Sequence, residues 1–435
     1  MNRLKAAALT LSALMLAAGC SSSGNLDSQQ PEGSKKEALT LTIYDALFTE
    51  DEFQRFVEKP VKEKFPHITL ERSTKATPDN FMSNLVTMVN AGNVPDLTLM
   101  AVYFNQEMEN LKLPADLTPY IQKNKVDLSV IDPVIVKDLP RLNDNNRITS
   151  LPLYKDVALA FYNKDLFDKF GVEYPKDGMT YKQMTELAKK VARNDNGVQY
   201  IGMFPGHPNI QIKQLSLDVI DKNNKSLVGT LEGYKRVFQL QKDIFDIPGA
   251  NQLKGNQNTA REYFVKQQNL AINIDHVSKM FLQLSKGTEM NWDMVTMPVF
   301  EDKLDVHSSL EFHGVYMSEA SKHKDEAFSV LSLLTMSRDV QLGLSKSGRV
   351  PAMNDPALVK EVGSDFLKGK NVESIVKTRM APLNNRSKWD NVGSVTGTPL
   401  NAAIQDIFNG GKDINTALRE ASEKIDKNVE AELKK

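Results

Sequence analysis

From Val157 to Tyr162 the chain alternates Val157, Leu159 and Phe161 with Ala158, Ala160 and Tyr162. A period of two marks a strand, and neither of its faces is polar, so one face must meet large neighbours while the alanine face is tightly covered. No other stretch limits the fold as strongly. Ahead of it lies a loop of different character: Pro152 cannot donate to a ladder, and Tyr154, Lys155 and Asp156 place a ring and two opposite charges beside the strand. Behind it, Asn163 can cap a helix from Lys164 to Lys169, which Gly171 stops as the left-handed residue. Single cores stop growing at roughly 250 to 300 residues, so a chain of 435 residues is expected to divide. The stretch from Leu151 to Phe167 is where it is expected to pass from one lobe to the next.

The formal net charge of −1, with 25% charged residues, offers no basic surface to a nucleic acid and no acidic block that would favour disorder. At the start, Arg3 and Lys5 precede an apolar run from Ala6 to Ala18 that is too short to span a bilayer comfortably. This is the pattern of a secretory signal over residues 1–19. The single cysteine, Cys20, follows in Leu16-Ala-Ala-Gly-Cys20, which resembles the bacterial lipoprotein cleavage box. That resemblance implies a mature chain lipidated at Cys20, and residues 21–37, rich in Ser, Gly, Asn and Gln, are expected to form a flexible tether.

Beyond the tether, strands and helices alternate. Leu39, Leu41 and Ile43 mark a strand from Ala38 to Tyr44 that exits through a loop from Asp45 to Phe48, and Thr49 with Glu52 forms a capping box for the next helix. Ile68 and Leu70 give a second strand. A helix opened by Thr77-Pro78 and closed by Gly92 leads to a third strand, Val94 to Met100, which exits through Tyr103 and Asn105. Such alternation argues for a parallel α/β sheet with ligands outside the carboxyl ends of the strands. Further on, the Thr180 and Gln183 box opens a helix from Tyr181 to about Ala192, and the strand Tyr200 to Phe204 exits into a Pro-Gly-His-Pro loop carrying His207. Helices are expected within residues 209–219 and 231–245. Leu270 to Ile274 is another strand, leading into Asp275-His276, and helices from Thr398 to Phe408 and from Ile414 to Ile425 close the chain. No G-x-S-x-G, H-E-x-x-H or G-x-x-x-x-G-K-[ST] motif occurs, and the spacing of His307, Glu311 and His313 matches no zinc template.

The run of Pro152, Tyr154, a short apolar strand and then Tyr162-Asn-Lys-Asp-Leu-Phe167 resembles the first interlobe crossing of the extracellular solute-binding proteins of ABC importers, family 1, a group that includes maltose- and multiple-sugar-binding proteins. The segment from the Thr259, Glu262 box to Ile274 resembles a strand fed back into the first lobe, whose sheet Met294 to Val299 and Gly314 to Met317 would complete. The third crossing would fall near the end of Ser321 to Thr335, and Ser347 to Ala352 resembles the Gly-x-x-Pro signature. The resemblance implies a two-lobed periplasmic-binding-protein-like α/β fold, with a ligand cleft between the lobes and three crossings. The first lobe would hold residues 38–155 and 275–332, and the second 156–274 and 333–435.

The function implied by the resemblance is that of a lipid-anchored, monomeric substrate-binding protein on the outer face of the cytoplasmic membrane. It would need no cofactor or metal and catalyse nothing. It would close on a saccharide by rotation at the Asp156 and Asp275 regions and deliver it to permease subunits. A sugar needs rings against its C–H patches and polar forks for its hydroxyls. The candidate rings are Tyr44, Phe48, Tyr103, Phe104, Tyr154, Phe204, Phe312 and Trp389, with Tyr103, Tyr154 and Trp389 in the more polar, turn-rich surroundings. Trp389 lies upstream of the penultimate helix, where sugar-binding relatives place a stacking aromatic. The polar candidates are Asp45, Asn105, Asp156, His207, Asp275, Glu311 and Asp390. With 7% aromatics, a short or charged saccharide such as a uronate, met by Lys155 or Arg386, is one alternative. Others are a polyamine, peptide or metal-chelate receptor, a tethered hydrolase or lyase, and a scaffold without a ligand.

Overall fold

The computed structural model describes residues 37–73, 80–143, 145–308, 311–384, 387, 389 and 393–434. Cys20, Asp390 and Arg386 lie outside the described residues. The strands are β1 (Leu39–Asp45), β2 (Ile68–Arg72), β3 (Leu97–Ala101), β4 (Ser150–Lys155), β5 (Ala158–Asn163), β6 (Arg193–Asp195), β7 (Val198–Phe204), β8 (Leu270–His276), β9 (Trp292–Thr296), β10 (Phe312–Met317) and β11 (Val350–Pro351). They form two mixed sheets, one in the order β11-β4-β10-β3-β1-β2 and the other β6-β7-β8-β5-β9. Each sheet carries helices and has its own core, which gives the two lobes.

The alternation around Val157 resolves into two separate cores. Ala158, Ala160 and Tyr162 join a cluster with Met184, Ala188 and Ile272, while Val157, Leu159 and Phe161 join another with Phe281 and Trp292. With both faces buried, β5 occupies an interior place, between β8 and β9. Local signals hold around it. Asn163 caps the helix Lys164–Phe170 by accepting from the Asp165 N–H, and Gly171 stops it at φ 63°. Both the Thr49/Glu52 and the Thr180/Gln183 capping boxes are formed. The closing helices are Thr398–Phe408 and Ile414–Glu432, and both pack into the second lobe's core.

Elsewhere the long-range arrangement departs from expectation. Residues 150–155 are strand β4, not a loop, and Pro152 is accommodated because it pairs with Gly314 at a register shift in β10, where the ladder is already interrupted. β8 does not return to the first lobe: it pairs with β5 and β7. β9 pairs with β5, so Met294 also belongs to the second sheet, and the chain re-enters the first sheet only at β10. The helix before β8 is capped by Asn256, not Thr259. The helices Lys324–Met336 and Arg338–Lys346 stay with the first lobe, as does β11, which pairs with β4, so the last crossing follows Pro351. Periodicity identifies a strand and its buried faces but not the sheet that receives it.

The first two crossings and the segment around Arg379 and Ala381 meet at one buried residue. Ser308 Oγ accepts from the Ala158 N–H at 3.0 Å. Its own N–H donates to the Arg379 carbonyl at 3.2 Å, and its carbonyl accepts from the Ala381 N–H at 2.7 Å. Nearby, the Asp156 N–H donates to the Glu311 carbonyl at 2.9 Å.

Candidate functional site

The strand registers bring one edge of each sheet to these crossings. On the first sheet the edge holds the ends of β1, β3 and β4 and the start of β10, and on the second the ends of β7, β8 and β9 and the start of β5. All but one of the described site candidates lie on or just beyond these edges, and what each does depends on where its side chain is bonded.

Several are engaged in holding the fold. Tyr44 is buried and its hydroxyl donates to the Phe81 carbonyl. Asp45 is buried, accepts from the Leu47 N–H at 2.7 Å and pairs with Arg72 at 2.7 Å. Asn105 is fully buried, and its amide donates to the Leu142 carbonyl at 2.7 Å. Tyr154 is buried with its ring stacked on His313, centroids 4.6 Å apart, so it presents no open face. Asp156 takes the Ser278 N–H at 3.2 Å and its hydroxyl at 2.6 Å, which fastens the first crossing to the helix Val277–Leu284 of the second lobe. Asp275 is fully buried in a two-pronged pair with Arg261, at 2.6 and 2.9 Å. It lies within the second sheet and not at a crossing. Phe204 and Phe312 are core residues. Lys155, a candidate for a uronate, is bound to Asp132 at 2.8 Å. The sequence reveals residue type and exit position, while these tertiary partners lie 14 or more positions away along the chain and are not visible in it.

Glu311, Tyr103 and His207 keep more open surroundings. Glu311, on the second crossing, receives Lys213 Nζ at 2.6 Å, and His276 Nε2 stands 3.5 Å away. Burial opposes ionisation of Glu311, but Lys213 and His276 outweigh it and hold the carboxyl at about 2. Tyr103 is 37% exposed, its ring 4.0 Å from that of Phe104, and burial together with the charges of Glu311 and Glu107 pushes its hydroxyl upward. His207 caps the helix Pro208–Gln214, its Nδ1 accepting from the Asn209 N–H at 3.3 Å. Burial, helped by Lys213 and His276, lowers the imidazole to about 4. Trp389 is half-buried against the second lobe's core, and its indole N–H donates to Asn224 Oδ1 at 3.0 Å.

Lys213 and Glu107 carry no local sign in the sequence, whereas His276 follows Asp275 directly and His313 stands two residues past Glu311. His276 had a visible signal: successive strand residues point to opposite faces, so Asp275 and His276 could not both face the crossings. His313 is lowered to about 4, chiefly by burial, and its Nδ1 has no partner. Glu107 is raised to about 7 by burial, with Oε2 unpaired. Together these groups offer hydrogen-bond donors, acceptors and one open ring. They come from both lobes and the crossing between them, so a molecule held here touches both sides.

Two sheets joined by three crossings, with polar groups gathered at the junction, define a two-lobed solute-binding architecture. The chain belongs to the bacterial extracellular solute-binding protein family, whose model matches residues 49–337. Solved structures share the fold. An ABC substrate-binding protein from Listeria monocytogenes in complex with cycloalternan has a TM-score of 0.72 at 19% identity, over 90% of this chain and 99% of that one. A sugar transporter from Rhizobium etli in an open conformation has 0.71 at 19%, over 89% and 99%. The sugar-binding protein MalE from Xanthomonas citri has 0.68 at 16%, over 91% and 98%. Among the described residues no helix is long and apolar enough to cross a membrane.

Proposed function

We propose that this protein is the substrate-binding lipoprotein of an ABC importer, anchored through Cys20, which takes up a saccharide between its lobes and passes it to permease subunits without altering it. The observation that carries this reading is the meeting of Lys213 and His276 from the second lobe with Glu311 on the crossing, beside the exposed ring of Tyr103 from the first. A ligand favours the closed state only through contacts it gains on closing, and a site assembled from both lobes supplies them. The saccharide class is supported by the cycloalternan complex and by the sugar transporter and sugar-binding protein that share this fold. Tyr103, His207, His276 and Glu311 are the proposed contacts, with Trp389 on the second lobe and Asp390 as further candidates.

The test is a thermal-shift screen of the protein in detergent against mono- and oligosaccharides, polyamines and peptides, followed by titration calorimetry and product analysis. A bound sugar at a hundredfold excess over Kd raises stability by about 2.7 kcal/mol. Replacing the ring in Tyr103→Ala is expected to weaken binding about tenfold, in line with one stacked aromatic contact. A best hit among polyamines or peptides, or a sugar consumed on incubation, would overturn the reading.

A further inference from the structure

Beside His207 the second lobe carries a cavity of about 320 Å³, lined by His207, Asn256, Gln257, Asn258, Asn401 and Gln405. Gly255 and Ile404 complete it. Five of these side chains are carboxamides and the sixth is an imidazole that burial keeps uncharged, at about 4. The lining therefore holds no formal charge at neutral pH. A carboxylate, phosphate or ammonium entering it would lose hydration without meeting a counter-ion. A carboxamide sets a donor and an acceptor side by side, which suits neighbouring hydroxyls on a ring. The size is at the lower end of ligand pockets, which run from roughly 300 to 1,000 Å³, so it suits one ring and not a chain.

Not every amide is free to bind. Gln257 accepts from the His207 N–H at 3.2 Å and donates to the Ile274 carbonyl at 3.2 Å. Asn256 Oδ1 caps the helix Gln257–Val265, and Asn258 Oδ1 accepts from Arg261 at 2.7 Å. Across from them, Asn401 and Gln405 stand four residues apart on one face of the helix Thr398–Phe408, both exposed. Asn401 reaches His207, whose imidazole also senses Lys213 and His276, so the cavity adjoins the cluster at the crossing.

We propose that this carboxamide-lined cavity is a subsite for one neutral, hydroxyl-rich sugar unit, placed next to the unit held at the crossing, so that the ligand is a neutral oligosaccharide. Asn401 and Gln405 then determine ligand length and exclude uronates at this position. The inference rests on the saccharide-receptor reading.

The experiment is calorimetric titration of the full chain in detergent with glucose, maltose and maltotriose, the matching mannose series, and galacturonic acid with its dimer and trimer, using wild type, Asn401→Ala and Gln405→Ala. Thermal melts check that the variants fold, and alanine on an exposed helical face should not disturb them. In a neutral series, the trisaccharide is expected to bind wild type at least tenfold more tightly than the monosaccharide. Each variant should weaken the trisaccharide about five- to tenfold, the loss of one or two neutral hydrogen bonds, and leave the monosaccharide within about twofold. Equal effects on all lengths, no effect, or tightest binding by an oligogalacturonide overturns the subsite while leaving the receptor standing. No binding by any saccharide overturns both.

Discussion

Asp275 and His276 are adjacent on β8 and face opposite environments. The aspartate is sealed against Arg261 inside the second lobe, and the histidine looks toward Glu311 at the crossing. Removing one partner of a buried pair leaves the other charge uncompensated, so Asp275→Ala is expected to cost about 3 to 5 kcal/mol in urea unfolding. Glu311 has a pH signature instead. Its folded-state value, about 2, lies below the ordinary 4.5, so its contribution to stability is fully present above pH 4.5 and is lost as the pH falls toward 2. The stability difference between wild type and Glu311→Gln should be level above pH 4.5 and shrink below it, as measured by denaturant titration across that range. A difference that grows on acidification would contradict the pairing with Lys213.

Single elements were legible where their signals were local. Thr180 accepts from the Gln183 N–H while Gln183 closes the box on the Thr180 N–H, and both residues were evident from spacing alone. Thr180→Ala is expected to destabilise the protein by about 1 kcal/mol in thermal or urea unfolding. The strand β5 was equally plain, because a period-two run with two apolar faces fits only a strand covered on both sides. What periodicity could not convey was partnership. β8 and β9 have the pattern of buried strands, and nothing within them says that they join β5 and not the first sheet. The same limit governed the site. Tyr103, Glu311 and His207 were recognisable from polar surroundings at strand exits. Asp45, Asn105 and Tyr154 share those surroundings, but their bonds go to Arg72, Leu142 and His313, chosen by the tertiary fold. Lys213 lies within a helix, where a lysine has no distinguishing local sign.

At the scale of the molecule, the proposed function requires the lobes to rotate about the crossings, which should appear as a smaller radius of gyration on ligand addition in small-angle scattering. Ser308 bonds at once to the first crossing and to the segment around Arg379 and Ala381, so neither can move independently of it. Ser308→Ala removes the acceptor of the buried Ala158 N–H and is expected to cost about 1 to 3 kcal/mol in unfolding. In hydrogen–deuterium exchange, the amides of Ala158 and Ala381 should exchange slowly and at a common rate, with and without ligand, because neither can be freed while Ser308 stays in place. The place about which the proposed closure bends the molecule would then be among its slowest to exchange with solvent.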